Sequence, residues 1–190
     1  MTADFDRAAV CAEMEKTRQD FRCLVNMATA ADMRRRSDGT RWTNRQLLFH
    51  MLLGYLIVRA LLVLARAFGR LPGRASVTFA RLLDSARRPF HLINYLGSCA
   101  GALIIRPARM PGMLDRTTGS LERRLRQEAE AALRGGMHYP TTWDPFFTDY
   151  MTLAEIYRYP TRHYQFHRRQ LTIEGAGSRA GSQPAGTPRR

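Results

Sequence analysis

The sequence has almost no lysine, few cysteines and no strand-like patterning, and these shortages limit the classes of fold and of protein that it can belong to. Lys16 is the only lysine, so arginine carries nearly all of the net charge of +14 in 190 residues. The three cysteines, Cys11, Cys23 and Cys99, form no CxxC pair, and their odd number suits reduced thiols better than a disulfide framework. No stretch alternates apolar and polar residues over a useful length, and no repeat period is present, which favours an all-α fold.

The arginines are scattered along the chain instead of forming one basic surface. The densest run is Arg34, Arg35 and Arg36, which is more typical of a solvated loop or helix end than of a phosphate site. A nucleic-acid-binding domain would show a basic stripe with interleaved aromatic residues or a known reading motif, and we find neither. We therefore expect no specific nucleic-acid partner.

Two stretches are apolar enough to raise the question of a membrane. Residues 47–68 contain His50, Arg59 and Arg66, and residues 90–105 number only about 16, fewer than the roughly 20 that span a bilayer. Buried bundle helices explain both stretches, and a peripheral membrane protein is the remaining alternative. The first residues are acidic and lack an apolar signal region, so we expect a cytoplasmic protein.

Apolar spacing predicts two helices in the first third of the chain. Residues 5–33 place apolar side chains such as Phe21 on one face, as in an amphipathic helix. Thr43 followed by Gln46 is a capping-box signature, so a second helix is predicted to begin at about Asn44. This second helix is apolar around much of its circumference, which is typical of the most buried member of a bundle.

The middle of the chain predicts two short helices and one long one. Pro89 divides a predicted helix over residues 76–88 from another over residues 90–104. A long amphipathic helix follows Pro111 and ends at Gly135. The two short helices are therefore insertions between the second and third main helices, and the segment from residue 69 to residue 111 has no predicted role.

The last helix follows an aromatic loop over residues 137–150. Thr152 and Glu155 form another capping-box signature at its start. Pro160 lies inside the helical stretch, where it either kinks the helix or begins a new one. In both cases the histidines of this helix come after the proline.

Three histidines are candidates for one metal site. His163 and His167 are four residues apart, so their imidazoles lie on one face of the last helix. His50 lies in the apolar second helix, where an unpaired imidazole would be costly. A metal shared between the two helices would satisfy it, and so would a hydrogen bond from a core histidine to a carbonyl.

Two segments carry a resemblance to a known family. They are TRWTNRQLLFH at residues 40–50 and YPTRHYQFHRRQL at residues 159–171. Both are similar to the signature segments of the DinB-like superfamily, in which a Trp and a polar cap precede the first metal histidine and the last helix supplies an HxxxH pair. The resemblance implies an all-α four-helix bundle, often a homodimer, with a metal site formed by His50, His163 and His167.

The domain prediction is one DinB-like bundle over residues 1–173. The stretch between the two signature segments is longer than is usual for the superfamily, because of the inserted helices. Residues 174–190 are rich in Gly, Ser, Pro and Arg and are predicted to form a disordered tail.

Three neutral imidazoles would leave a divalent ion its full charge and an open position, as in catalytic sites. Zinc suits three nitrogens with tetrahedral geometry, while nickel, iron or manganese would also accept them. The resemblance implies an activity as well, because superfamily members include transferases and isomerases that use a small thiol such as mycothiol or bacillithiol. The predicted partners are accordingly a low-molecular-weight thiol and an electrophilic substrate.

Two other functions remain open beside the thiol-dependent enzyme. One is a metal-binding helical interaction module without catalysis, and the other is a metal-dependent hydrolase, whose general base the sequence does not reveal. Several further residues are candidates to support the three histidines or to line a pocket beside them. Gln170 and Tyr164 are candidates to orient the imidazoles, and the candidates for a pocket wall are Trp143, Phe146 and Phe147.

Overall fold

Eight α-helices and one small hairpin make up the computed structural model, which describes residues 5–174. The elements are α1 (Arg7–Met27), α2 (Ala30–Arg34), α3 (Asn44–Phe68), α4 (Gly73–Ser85), α5 (Arg87–Ile104), a 3₁₀ turn (Pro107–Arg109), α6 (Met110–Gln127), α7 (Glu130–Arg134), β1 (Gly136–His138), β2 (Tyr150–Thr152) and α8 (Leu153–Arg168). The predicted all-α class is confirmed. The tail predicted at residues 174–190 lies outside the described residues, apart from Glu174.

Both predicted capping boxes are present and fix the two helices that carry the histidines. The Thr43 hydroxyl accepts the backbone N–H of Gln46, and the Gln46 side chain accepts the N–H of Thr43 at 2.9 Å. Thr152 and Glu155 make the same reciprocal pair at the start of α8, where the carboxylate accepts the N–H of Thr152 at 2.7 Å. Local side-chain chemistry therefore sets where α3 and α8 begin.

Two predicted helices are shorter than expected, because extended residues interrupt them. The helix predicted over residues 5–33 ends at Met27, since Thr29 and Asp32 form a further capping box that starts α2. The long helix predicted up to Gly135 ends at Gln127, and α7 begins only at Glu130. Both predictions were wrong at the helix ends, although the periodicity within each helix was read correctly.

Pro89 acts differently from the prediction, and Pro160 does not begin a new helix. The break between α4 and α5 falls at Ala86, and Pro89 is the third residue of α5, where its missing N–H costs no helical hydrogen bond. Pro160 lies in the middle of α8, and the helix continues through it to Arg168. A new helix does not begin at Pro160, so the histidines lie on one uninterrupted helix.

The aromatic loop is closed by a short antiparallel hairpin that the sequence pattern did not predict. Strand β1 pairs with β2 in the register Gly136 to Thr152 and His138 to Tyr150. A side chain at Gly136 could not be accommodated, because its Cβ would lie 2.1 Å from the carbonyl oxygen of Met151. Three-residue strands are too short to show an alternation of apolar and polar residues, which is why the sequence pattern did not predict them.

Helices α1, α3, α6 and α8 form the bundle, and α3 lies at its centre against α5, α6 and α8. Its fully buried side chains include Leu47, Tyr55 and Leu62. Among the described residues, α3 alone has the length and hydropathy of a membrane-spanning helix, and 56% of its most apolar window is buried inside the protein. Its apolar character therefore matches its place in the core, as expected.

Candidate metal centre

The three predicted histidines come together between α3 and α8. His50 extends from α3, and His163 and His167 extend from successive turns of α8. The Nε2 atoms of His50 and His163 are 3.2 Å apart, and the three candidate ligand atoms all lie within 4.8 Å of one another. His50 and His163 are buried, at 6% and 3% exposure, and His167 is half-buried. The cluster is therefore enclosed on most sides.

Hydrogen bonds on the outer side of the cluster fix two of the imidazoles. Ser98 donates its hydroxyl proton to the carbonyl of Asn94 at 2.8 Å, so its oxygen accepts from Nδ1–H of His50 at 3.2 Å. His167 donates from Nδ1 to Oε1 of Gln170 at 2.7 Å. Both rings then carry their proton on Nδ1 and direct the Nε2 lone pair into the cluster, as a metal ligand requires.

The predicted supporting roles of Gln170 and Tyr164 have opposite outcomes. Gln170 contacts His167 as expected. Tyr164 does not contact the cluster, since its hydroxyl donates to Asp20 of α1 at 2.7 Å. That prediction was wrong because Tyr164, one position after His163, lies on the side of α8 that packs against α1.

His163 lies against Gly54, one helical turn after His50 on α3. A Cβ at position 54 would lie 2.7 Å from Nδ1 of His163 and 3.1 Å from its Cε1. Among the described residues, this Nδ1 has no hydrogen-bond partner. The absence of a side chain at Gly54 therefore makes the space that the imidazole occupies.

Burial keeps all three imidazoles neutral at physiological pH. It lowers the pKa of His50 to about 3, and the neighbouring His167 contributes to the shift. Burial also holds the pKa of His163 well below its usual value, with His50 and His167 adding to the effect. The pKa of His167 is lowered by burial too, against a raising effect from Gln170. Neutral imidazole is the form that binds metals.

Acid is expected to destabilise the metal-free protein through these histidines. Between pH 6.5 and pH 3, the unfolded chain binds a proton at His50 that the folded protein excludes, so stability falls as the pH falls through this window. From pH 7 to pH 5, His50 alone should cost about 2 kcal/mol of unfolding free energy. Urea unfolding at both pH values measures the change. A His50→Gln variant should lose less unfolding free energy between the two pH values. An equal loss in both proteins would show that His50 is not the group responsible.

Asp144, from the aromatic loop, is a site residue that the sequence analysis missed. Its Oδ2 accepts the Tyr159 hydroxyl at 2.9 Å and lies 3.9 Å from Nε2 of His163. Burial raises the pKa of this carboxyl, while its hydrogen bonds from Phe146 N–H and Tyr159 lower it. A single loop aspartate has no local pattern that marks it, because only the tertiary fold brings it to α8.

A partly open cavity of about 80 Å³ adjoins the cluster, and His50, His163 and Asp144 line it. The rest of its wall is mainly apolar, and no arginine or lysine within residues 5–174 lines it. Of the aromatic residues predicted to wall a pocket, Trp143 and Phe147 do so. The apolar and aromatic lining residues are Leu53, Ile57, Leu61, Phe90, Trp143, Phe147 and Tyr159.

The aromatic rings around the cavity are held in place by specific contacts. Trp143 stacks on Phe90 of α5 with ring centroids 3.8 Å apart, and its indole N–H donates to the carbonyl of Leu83 at 2.9 Å. Phe146 instead packs edge-on against Phe166. On the other side of the cluster, the Trp42 ring stacks on His50 at 4.4 Å. The Trp of the first signature segment therefore packs directly on a candidate ligand.

The donor set fits a divalent metal ion. Two nitrogen ligands of a tetrahedral ion, with bonds of about 2.0–2.1 Å, lie roughly 3.3 Å apart. The Nε2 atoms of His50 and His163 are 3.2 Å apart, close to that separation. Three neutral nitrogen donors suit zinc, and nickel, iron or manganese also accept them. The remaining histidines lie outside the cluster, with His138 beside Asp149 at 3.2 Å and His91 exposed.

Comparison with known proteins agrees with the resemblance in the two signature segments. A family model described as the DinB superfamily matches residues 13–171, which include all three histidines of the cluster. No curated protein and no solved structure matches the chain. Because the family match covers most of its length, the chain belongs to the DinB superfamily.

Proposed function

We propose that this protein is a metal-dependent enzyme that uses a low-molecular-weight thiol to attack an electrophile, as a transferase or an isomerase. The observation that carries the proposal is the cluster of three neutral imidazoles, two buried and one half-buried, that opens on an apolar cavity. Membership of the DinB superfamily supports it. Mycothiol and bacillithiol, used by several superfamily members, are the thiols we expect, and the cytoplasm, where thiols stay reduced, is the expected location.

The chain's own residues prepare the centre for an ion and a thiol. Ser98 and Gln170 hold His50 and His167 with their Nε2 lone pairs directed into the cluster, and Gly54 leaves room for His163. A divalent ion held by these nitrogens would lower the pKa of a bound thiol and supply a thiolate at neutral pH. Because the three ligands are neutral, they would not weaken the charge that stabilises this thiolate.

The cavity favours an uncharged, apolar electrophile. Ile57, Leu61 and Phe90 offer contact surface, and no cationic side chain of the described residues lines the space. In a transfer reaction the sulfur forms a bond to the electrophilic carbon, and the leaving group departs with its bonding electrons. In an isomerisation, the sulfur adds and is later expelled.

Asp144 is the residue we expect to accept the thiol proton. Its Oδ2 lies 3.9 Å from Nε2 of His163, close enough for one water molecule to relay a proton from the centre. Burial raises the pKa of the carboxyl, which makes it a better proton acceptor than an exposed aspartate. Tyr159 holds this carboxyl in place through its hydroxyl.

The same carboxylate keeps metal-dependent hydrolysis as a second candidate function. Hydrolysis needs a general base near the ion to take a proton from water, and Asp144 occupies such a position. The two functions differ in their co-substrate, because hydrolysis of an ester would proceed without any added thiol.

The test is to load the protein separately with zinc, nickel, iron or manganese and to supply mycothiol or bacillithiol with monobromobimane. Mass spectrometry of the thioether product measures the rate, and the protein without metal is the control. We expect turnover that needs both metal and thiol, with kcat lowered roughly a hundredfold in Asp144→Asn. Ester cleavage without thiol would favour hydrolysis. Full metal occupancy with no turnover for any combination of metal and thiol would favour a non-catalytic, metal-binding interaction module.

A further inference from the structure

Helix α5 has an exposed face made of large aliphatic side chains. From Pro89 to Ile105, the sequence contains no Asp, Glu, Lys or Arg. Such a surface is unusual on a soluble domain, where the outward side of a helix is normally polar. The exposed fractions of the five side chains are Leu92 58%, Ile93 68%, Leu96 53%, Leu103 79% and Ile104 76%.

Packing against the bundle does not explain these aliphatic residues. The side of α5 that contacts α3 is formed by small residues, with Ser98 and Ala102 buried. Gly101 lies so close to the Phe49 ring that a Cβ there would be 2.1 Å from it. The five aliphatic side chains lie on the opposite side of the helix, where no described element covers them.

The surroundings of this face are strongly basic. Between residues 69 and 111 the only acidic residue is Asp84, whose carboxylate accepts a hydrogen bond from the Thr142 hydroxyl at 2.7 Å. No arginine of this segment makes an ion pair within the described part of the chain. The four arginines next to the ends of α5 are all exposed, namely Arg87, Arg88, Arg106 and Arg109.

We propose that α5 docks on an anionic lipid membrane and lies in the plane of its surface. The aliphatic side chains would enter the boundary between headgroups and acyl chains, and the arginines at both ends would bind lipid phosphates. The helix does not span the membrane, because its other side packs on α3 and charged residues flank it closely. This inference is independent of the function proposed for the metal centre.

Charge also decides between a membrane and a second copy of the chain. Two copies that paired through α5 would bring their arginines together at the rim, with no acidic partner nearby to neutralise them. An anionic membrane offers the opposite charge over the whole area. Charge complementarity therefore favours lipid as the occupant of this face.

The experiment is flotation of the full chain with phosphatidylcholine vesicles, with and without phosphatidylglycerol, at low and moderate salt. We expect binding to the anionic vesicles that survives moderate salt. Replacing Leu96 and Leu103 with glutamate should weaken it by roughly tenfold or more, because two apolar side chains can no longer be buried in lipid. The matched control is Cys23→Glu with Met27→Glu, which changes the net charge equally at exposed positions of α1.

Three results would overturn the proposal. The unaltered protein could fail to bind anionic vesicles. The two double variants could lose binding equally, which would mean adhesion by net charge alone. Light scattering could show that the parent protein and the control variant are dimers whereas the Leu96→Glu, Leu103→Glu variant is a monomer. That result would make the face a contact between two copies of the chain. Circular dichroism of both variants checks that they fold, as expected for substitutions at exposed positions.

Discussion

Replacing His163 with alanine is expected to abolish stoichiometric metal binding. His163 is the most buried of the three histidines, and its Nε2 lies 3.2 Å from that of His50, so its loss leaves two ligands that face an empty space. Removal of an outer hydrogen-bond partner lowers metal affinity by roughly 10- to 100-fold, and removal of a ligand should cost more. Plasma mass spectrometry of protein purified without chelator, followed by zinc titration, measures both occupancy and affinity.

Two further variants make the metal experiment specific. Ser98→Ala removes the hydrogen bond to His50 Nδ1 and should give the smaller loss of affinity. His138→Ala removes a histidine outside the cluster and should leave occupancy unchanged. If the parent protein bound no metal, or if His163→Ala bound as much as His138→Ala, the three-histidine site would be wrong.

Replacing Arg66 with methionine is expected to destabilise the fold by about 1.5–3 kcal/mol. Arg66 of α3 forms an ion pair with Glu128, and the two side chains are 19% and 8% exposed. Tyr157 of α8 donates its hydroxyl to the same carboxylate at 2.9 Å. Without the guanidinium, the largely buried carboxylate of Glu128 loses its ion-pair partner. Urea unfolding of the parent and the variant measures the difference.

The double variant Arg66→Met, Glu128→Gln tests the cause. It removes the unpaired charge and should recover most of the lost stability, because the cost comes from the isolated carboxylate. Arg18→Met, which removes a partner of Glu15 and Asp115 at the surface, should cost less than about 1 kcal/mol. An Arg66→Met variant no less stable than Arg18→Met would show that the buried pair contributes little.

Local patterns predicted the helices that hold the histidines, but not all of the helix ends. The capping boxes at Thr43 and Thr152 could be recognised in the sequence because each uses two side chains three residues apart. Pro160 left two courses open for the last helix, because a proline inside a helix costs one hydrogen bond. The helix continues through it, and the burial of its neighbours Tyr159 and Thr161 in the core favours that outcome. Local rules cannot weigh tertiary packing of this kind.

The candidate site was partly predictable for the same reason. The four-residue spacing of His163 and His167 is a local signal, the apolar surroundings of His50 in the sequence made it a third candidate, and the resemblance to DinB-like proteins supported all three. Ser98 and Asp144 reach the cluster from α5 and from the aromatic loop, so their roles depend on contacts between distant parts of the chain. The predicted ligands come together as expected, and the binding of a metal stays a prediction.

Gly54 has a consequence for how this site can change in evolution. Because any Cβ at position 54 would meet the His163 ring, the two positions cannot vary independently. In related sequences that keep a histidine at the position of His163, we expect glycine at the position of Gly54. Where a larger residue replaces the glycine, the histidine should be lost as well, so paired substitution at these two positions would mark relatives without this centre.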